Sequence, residues 1–285
     1  KDFNKYYKNC VDYSFQNFYA ISKNNSKINY RNFEKFCNRL GLSFKNVEIP
    51  NSIFNAEKIS KCYLVNEGVY NFNKIQSVII KRLSEKKNIK IIKNLYLKSF
   101  VDINNSIIYR KNKKTIKENF DLIINATYSN LNNHVYKREN KIQMEYNLQE
   151  MCKLKINGKR FGSTILDGEF PSILPIAGTR NEYLFAHVKF SQLIKKISKG
   201  IPKKILNKNY KSNLQYTFDQ SKSYLSVLQK SKIIGNFEVI RSVNVDAQRD
   251  SRKSEIIQYH NGNFSIFSGK IITVETLAKK LTKLI

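Results

Sequence analysis

The chain has 285 residues, 41% of them hydrophobic, enough apolar material for one large core or two smaller ones, which excludes a disordered tail. Its 51 basic and 22 acidic residues give a formal charge of +29, but Lys is spread along the whole chain beside abundant Asn, Ile, Tyr and Phe, with no Trp. That is the bias of an AT-rich coding sequence, whereas a nucleic-acid footprint clusters on one face, so no nucleic-acid partner is expected. No apolar run reaches the roughly 18 residues of a transmembrane segment and no hydrophobic leader core opens the chain. Cys10, Cys37, Cys62 and Cys152 lie too far apart for a C-x-x-C redox pair or a zinc-type spacing. Reduced core thiols and a cytoplasmic, soluble protein are the expectation.

Aromatics are dense from Phe3 to Tyr19 without strand alternation. Phe33, Phe36, Cys37 and Leu40 then keep helical spacing up to Gly41, which predicts an amphipathic helix closed by glycine. Lys61–Tyr70 reads as a strand. Phe72, Ile75, Ile79 and Leu83 follow as one face of a helix ending near Lys87. Ile89–Ile92, Leu95–Ile103 and Ser106–Arg110 read as short strands, with Asn104 and Asn105 as a turn and the basic stretch Lys111–Lys117 as a solvated turn. Phe120–Ala126 is nearly continuous in apolar residues, the pattern of a parallel strand buried on both faces. Residues 141–189 alternate more and carry Gly158, Gly162, Gly168, Gly178, Pro171 and Pro175, as a mostly antiparallel region does. Phe190–Ser226 is polar and helix-permissive, with Pro202 as a break. Val239–Val245 returns to strand, and Val274, Leu277, Ala278, Leu281 and Leu284 face one way on a final helix.

Two segments carry chemistry. In Asp121-Leu-Ile-Ile-Asn-Ala-Thr-Tyr128 a buried strand runs into small and polar residues, at the sheet edge where open α/β sheets bind ligands. Ala126 and Thr127 would let a bulky group approach the backbone there. In Phe264-Ser-Ile-Phe-Ser-Gly-Lys-Ile-Ile-Thr273 an apolar strand turns through Gly269 into the last helix, whose first N–H groups must point outward. Such a terminus suits an anion or a carbonyl gaining negative charge, each favourable placement contributing about 0.3–1 kcal/mol.

Taken together, these strings resemble FAD-dependent oxidoreductases of the D-amino-acid oxidase and glycerol-3-phosphate dehydrogenase superfamily. Asp121–Tyr128 resembles the FAD-domain strand, and Ser268-Gly-Lys-Ile-Ile-Thr273 resembles a Gly-Gly-Lys-Leu-Thr-Thr flavin loop with Ser268 in place of the first glycine. Val65-Asn-Glu-Gly-Val-Tyr70 with the following helix looks like the passage from substrate strand to cofactor helix. Arg249-Asp-Ser-Arg252 lies where the family carries substrate-facing arginines. The resemblance covers about Lys61–Thr127 and Val239 to the end. It implies FAD as cofactor, with Asn125, Ala126, Thr127, Ser268, Gly269, Lys270, Ile271, Ile272 and Thr273 at the cofactor and Arg252, Lys270 and Arg249 at an anionic small-molecule substrate; Arg241 is a weaker candidate. None of His134, His187 and His260 is assigned a catalytic role. The ten glycines contain no G-x-G-x-x-G turn, so the resemblance further implies that the phosphate-binding segment lies upstream of Lys1.

The expected fold class is α/β (α+β): a FAD-binding, Rossmann-like layered domain, incomplete at its N-terminus, interleaved with a mostly antiparallel substrate domain. The expected division is 1–70 as helical segment and substrate-domain strand, 71–131 as part of the FAD domain, 132–235 as antiparallel substrate domain, and 236–285 as the C-terminal FAD-domain part. The expected function is oxidation of a small amine or hydroxy compound by hydride transfer to flavin. The alternatives are a basic polyanion-binding protein or a noncatalytic flavoprotein remnant.

Overall fold

The computed structural model describes residues 2–101, 105–135, 141–245, 254–259 and 262–285. The chain opens with α1 (Asp2–Tyr7), β1 (Val11–Asp12) and β2 (Gln16–Ser22). Thus the aromatic opening, which lacks visible alternation, holds a strand; β2 is inner to the large sheet and buried on both faces, which removes the period of two. Next comes α2 (Tyr30–Leu40), where the Asn29 side chain accepts from Asn32 N–H and Gly41, at φ 64°, closes the C-terminus in the left-handed region. Its Phe33 and Cys37 pack on Ile21 and Tyr63. β3 (Phe44–Val47), β4 (Ile59–Val65) and β5 (Val69–Tyr70, paired with β1) lead to α3 (Phe72–Ser84), capped by Asn71.

Only Ile75 of the expected α3 face is fully buried, against Phe3 and Tyr7 of α1; Phe72 is 64% and Ile79 38% exposed. The helix is where the 3.6-residue period puts it, but α1 covers a narrower stripe than the sequence offers. Ile89–Ile92 forms no strand, and Ile89 and Ile91 are exposed; among the described residues no neighbouring strand offers them a ladder. β6 (Tyr96–Val101), β7 (Ser106–Lys111) and β8 (Lys114–Asn119) make an antiparallel meander. The basic stretch is therefore mostly strand; only Asn112 and Lys113, at φ 47° and 65°, form the two-residue turn. Asn105 is also left-handed, at φ 46°, whereas Asn104 and the end of the expected strand at Ile103 lie outside the described residues. β9 (Ile124–Asn125) is shorter than Phe120–Ala126 and is not buried on both faces, since Phe120 and Ile124 are about two-fifths exposed, at 39% and 41%.

β10 (Met144–Lys155), β11 (Phe161–Ile165), β12 (Pro171–Pro175), β13 (Glu182–His187) and β14 (Gln192–Ser198) follow, then α4 (Lys203–Leu206), α5 (Leu214–Ser221) and β15 (Lys232–Asn244). β14 corrects the expectation of a helix-permissive stretch from Phe190: it pairs with the first half of β10, and ladder bonds override its polar composition. The large sheet has nine strands, in the order β14-β10-β13-β12-β11-β2-β4-β3, with β15 along the other edge of β10. All its pairings are antiparallel except β2 with β11. β15, which holds residues 236–244, is a strand of this sheet.

β16 (Glu255–Gln258), β17 (Phe264–Phe267) and β9 form a separate three-stranded sheet, in which β9 and β17 run parallel, and α6 (Val274–Thr282) closes the chain. Leu277 and Leu281 are buried on α6, whereas Val274, Ala278 and Leu284 stay exposed. The main core lies under one face of the large sheet: Phe18, Phe161, Ile173 and Phe185 meet Phe218 of α5 and Leu225 there. Each such side chain contributes roughly 1.5–3 kcal/mol by leaving water. Within this face Glu150 is 4% exposed and accepts from Ser212 Oγ at 2.8 Å, Asn213 N–H at 2.9 Å and Asn236 Nδ2 at 3.2 Å, which pins the start of α5 and β15 to β10.

All four cysteines are buried and unpaired, and burial pushes the Cys62 and Cys152 thiols up to about 12, so they remain protonated packing groups. Among the described residues no helix is long and apolar enough to cross a membrane.

Candidate functional site

The parallel pairing of β9 with β17 sets Ile124 opposite Phe264 and Asn125 opposite Ser265, so the turn after Asn125 and the loop after Phe267 leave the same edge of the small sheet. The two segments singled out in the sequence, more than a hundred residues apart, are thereby neighbours. Asn125 is 2% exposed: its Nδ2 donates to Leu131 O, and its Oδ1 accepts from Thr127 N–H and Thr127 Oγ1. Asn125 therefore shapes the turn and has little left to offer a ligand. Ala126 is exposed, and Tyr128, at φ 54°, stacks on Phe267 with ring centres 6.4 Å apart.

In the second loop the Lys270 carbonyl accepts from Ser268 Oγ, Thr273 Oγ1 and Thr273 N–H, and Thr273 Oγ1 also meets Ser254 Oγ at 2.8 Å. Ser268 and Thr273 thus brace the loop. Among the described residues no acceptor faces the N–H groups of Gly269, Lys270, Ile271 and Ile272. Ile271, Ile272 and the Lys270 side chain are exposed. N–H groups without an acceptor at the start of a helix suit an oxygen that carries partial negative charge.

The large sheet supplies a second surface. Along β10, Met144, Tyr146, Leu148, Cys152 and Leu154 point into the cores, whereas Glu145, Asn147, Gln149, Met151 and Lys153 point the other way. Asn147 lies between Lys195 of β14 and Arg241 of β15, its direct cross-strand partners. These residues, with Glu145, Gln149, Val188, Gln192 and Val243, line a cavity of about 230 Å³. Lys195 Nζ is 3.1 Å from Glu145 Oε2, leaving the lining net positive by one charge once Arg241 is added. Asn147 is 7% exposed and its Oδ1 has no hydrogen-bond partner, an arrangement that costs about 1–3 kcal/mol unless a ligand donor reaches it. Farther along the same face Gly162 is opposite Asn17, whose Oδ1 is likewise buried without a partner, and the Tyr19 hydroxyl donates to Glu67. A Cβ at Gly162 would come within 2.6 Å of Asn17 Oδ1, so a larger residue there would displace the Asn17 amide.

β17 packs on the face of β10 opposite to the cavity. Phe267, last residue of β17, packs with Met144, Tyr146 and Leu148, and Asn244 at the end of β15 donates to Glu255 at the start of β16. Of the residues expected at a substrate, Lys270 is on the loop, Arg241 lines the cavity, and Arg249 and Arg252 lie outside the described residues. Glu145, Asn147 and Lys195 were missed. The alternation Met-Glu-Tyr-Asn-Leu-Gln from 144 to 149 carried the signal of a strand with one polar face.

His187 is a structural residue: its Nδ1 accepts from Lys189 N–H and Phe190 N–H, and its ring stacks on Phe190. Burial, helped by Lys189 and opposed by Glu169, lowers its pKa to about 4. With the folded value below the ordinary one, its contribution is complete above about pH 6.5 and is lost as pH falls toward 4. Urea unfolding should show about 2 kcal/mol less stability at pH 5 than at pH 7 from this group, a difference absent in His187→Asn. Burial also lowers the pKa of His134, and His260 lies outside the described residues.

The sequence matches no protein-family model and no curated protein. The fold matches solved structures. Glycine oxidase from Geobacillus kaustophilus superposes with a TM-score of 0.63 at 8% identity, over 96% of this chain and 70% of that one. L-proline dehydrogenase from P. horikoshii gives 0.65 at 13% identity, over 99% and 76%. The open form of NikD, an amino acid oxidase of nikkomycin biosynthesis, gives 0.67 at 6% identity, over 99% and 76%. The chain has the fold of these oxidases and dehydrogenases and spans about three-quarters of their length.

Proposed function

We propose that the protein is a FAD-dependent oxidoreductase that removes a hydride from a small, anionic amine or hydroxy compound. The observation that carries this reading is the convergence of the β9 turn and the β17–α6 loop at one edge of the small sheet, in a fold shared with enzymes named for oxidation of glycine, L-proline and other amino acids. Fold likeness alone leaves chemistry open, so the site residues bear the weight.

The chain's own groups fit the ring end of a flavin. The N–H groups of residues 269–272 would face its pyrimidine carbonyls, where reduction adds negative charge, and the small Ala126 would leave room for the ring. The chemistry the cofactor supplies when bound is hydride acceptance. The substrate loses a hydride from carbon and a proton from nitrogen or oxygen to water, leaving C=N or C=O. Lys270 would hold the substrate's anionic group. No phosphate-binding turn of the G-x-G-x-x-G type is available among the ten glycines to anchor the rest of FAD.

Titrating the purified chain with FAD, with flavin absorbance and quenching as readouts, tests the reading. Stoichiometric binding followed by bleaching with an amino or hydroxy acid is expected. A chain that folds yet binds no flavin would instead be the noncatalytic remnant. Nucleic-acid affinity that falls steeply with salt would favour the polyanion-binding alternative. Lys270→Ala is expected to weaken flavin or substrate binding several-fold, in line with a cation worth about 1 kcal/mol at a partly open site; unchanged flavin content and unchanged kinetics would remove Lys270 from the site.

A further inference from the structure

The main core is open at one end of the large sheet. A cavity of about 310 Å³ enters it between the start of β2, the turn from β3 to β4 and the hairpin that joins β10 to β11. Its floor is Phe18, Ile53, Ile156, Phe161 and Val227; each is a core residue yet keeps 5–8% of its surface exposed, whereas Ile173 and Phe185 of the same core keep none. Its rim carries Gln16, Ser52, Asn157 and Lys159, and no carboxylate lines it. The frame is braced: Arg160 Nη1 lies 3.1 Å from Asp12 Oδ2 and 2.7 Å from Ser14 Oγ, Asn181 Nδ2 donates to Asn157 Oδ1 at 3.1 Å, and Val227 N–H donates to Ile53 O at 3.3 Å. Lys159, between the braced Asn157 and Arg160, is exposed and has no ion-pair or hydrogen-bond partner among the described residues. The cavity is at the Ile156 end of β10, roughly 40 Å along the strand from the Met144 end where Phe267 packs.

We propose that this cavity is a second ligand site, separate from the flavin loops, and that it takes a monocarboxylate with a small apolar body, the carboxylate at Lys159 and the hydrocarbon over the floor. Cavities that hold small molecules run from about 300 to 1,000 Å³, so this one suits a body of about six to eight carbons. Arg160 is answered by Asp12, which leaves Lys159 as the uncompensated charge of the lining and sets the sign of the ligand. Gln16, Ser52 and the Asn157 amide nitrogen are donors that carboxylate oxygens can accept from. An apolar body would take from water the surface that the five floor residues still expose, and a frame held by its own bonds needs little ordering to receive it. This site stands whether or not the chain binds flavin.

Calorimetric titration of the 285-residue chain with octanoate, acetate and octan-1-ol, with and without saturating FAD, tests this. Octanoate is expected to bind at least about thirtyfold more tightly than acetate, from burial of its hydrocarbon chain, and at least about fivefold more tightly than octan-1-ol, from the charge of Lys159. Lys159→Gln should raise the Kd for octanoate at least about fivefold and leave that for octan-1-ol within about twofold. Lys203→Gln, which removes the same charge from an exposed position on α4, should change neither by more than about twofold. Ser52→Trp, at an exposed rim position, should fill the mouth and weaken octanoate and octan-1-ol alike, at least about fivefold; the Lys159 variant decides if this one does not fold. Octanoate binding no tighter than acetate, equal losses in Lys159→Gln and Lys203→Gln, or parent-like binding in Ser52→Trp would overturn the proposal. So would the absence of octanoate binding, or competition between octanoate and FAD, which would put the acid at the flavin loops instead.

Discussion

Replacing Glu150 by Ala should lower the unfolding free energy by about 3–5 kcal/mol, read as a fall in the urea midpoint at unchanged slope. The carboxylate is buried and accepts from the Ser212 hydroxyl, the Asn213 N–H and the Asn236 amide, so its removal strands three donors in a place water hardly reaches. Hydrogen bonds to a charged group contribute about 1.5–3 kcal/mol each, and an unsatisfied donor adds its own desolvation cost. Glu150→Gln keeps one acceptor oxygen and should cost less, about 1–2 kcal/mol, because its amide nitrogen faces a donor. A loss below about 1 kcal/mol in the Ala variant would mean that α5 and β15 are held to β10 by apolar packing alone.

The second large effect concerns the cofactor. Ala126→Phe should leave stability within about 0.5 kcal/mol, since the position is exposed, and should reduce bound flavin at least about tenfold by filling the space beside the β9 turn. Flavin absorbance after gel filtration checks it against the parent chain. Parent-like flavin content would move the ring away from Ala126, and with it the role proposed for residues 269–272. Ala126→Ser serves as the control that adds a single oxygen and should retain flavin.

Much of the fold was legible. The α2 helix with its Gly41 terminus, α3, the parallel strand ending at Asn125 and the strand–loop–helix at 264–282 all follow from local rules of period, capping and turn chemistry. Where reading failed, a tertiary partner had overridden local pattern. β2 shows no alternation because it is buried on both faces; β14 is polar because one side of it faces the cavity; and Ile89–Ile92 has strand composition but, among the described residues, no strand beside it. The candidate site divided in the same way. Asn125, Thr127, Ser268 and Thr273, expected at a cofactor, spend their side chains within their own turns, Asn125 on Thr127 and Ser268 on Thr273.

By itself the sequence determined the elements whose causes are local, and the order of strings on which the likeness to flavin-dependent oxidoreductases rests. Only the tertiary structure decided that the turn after Asn125 and the loop after Phe267 share an edge, through the parallel pairing of β9 with β17. It likewise decided that Asn147, Lys195 and Arg241, spread over nearly a hundred residues, stand side by side. Strand register is the physical reason: it is fixed by burying every second residue of β10 in the core, and that same constraint turns the polar residues between them into one face.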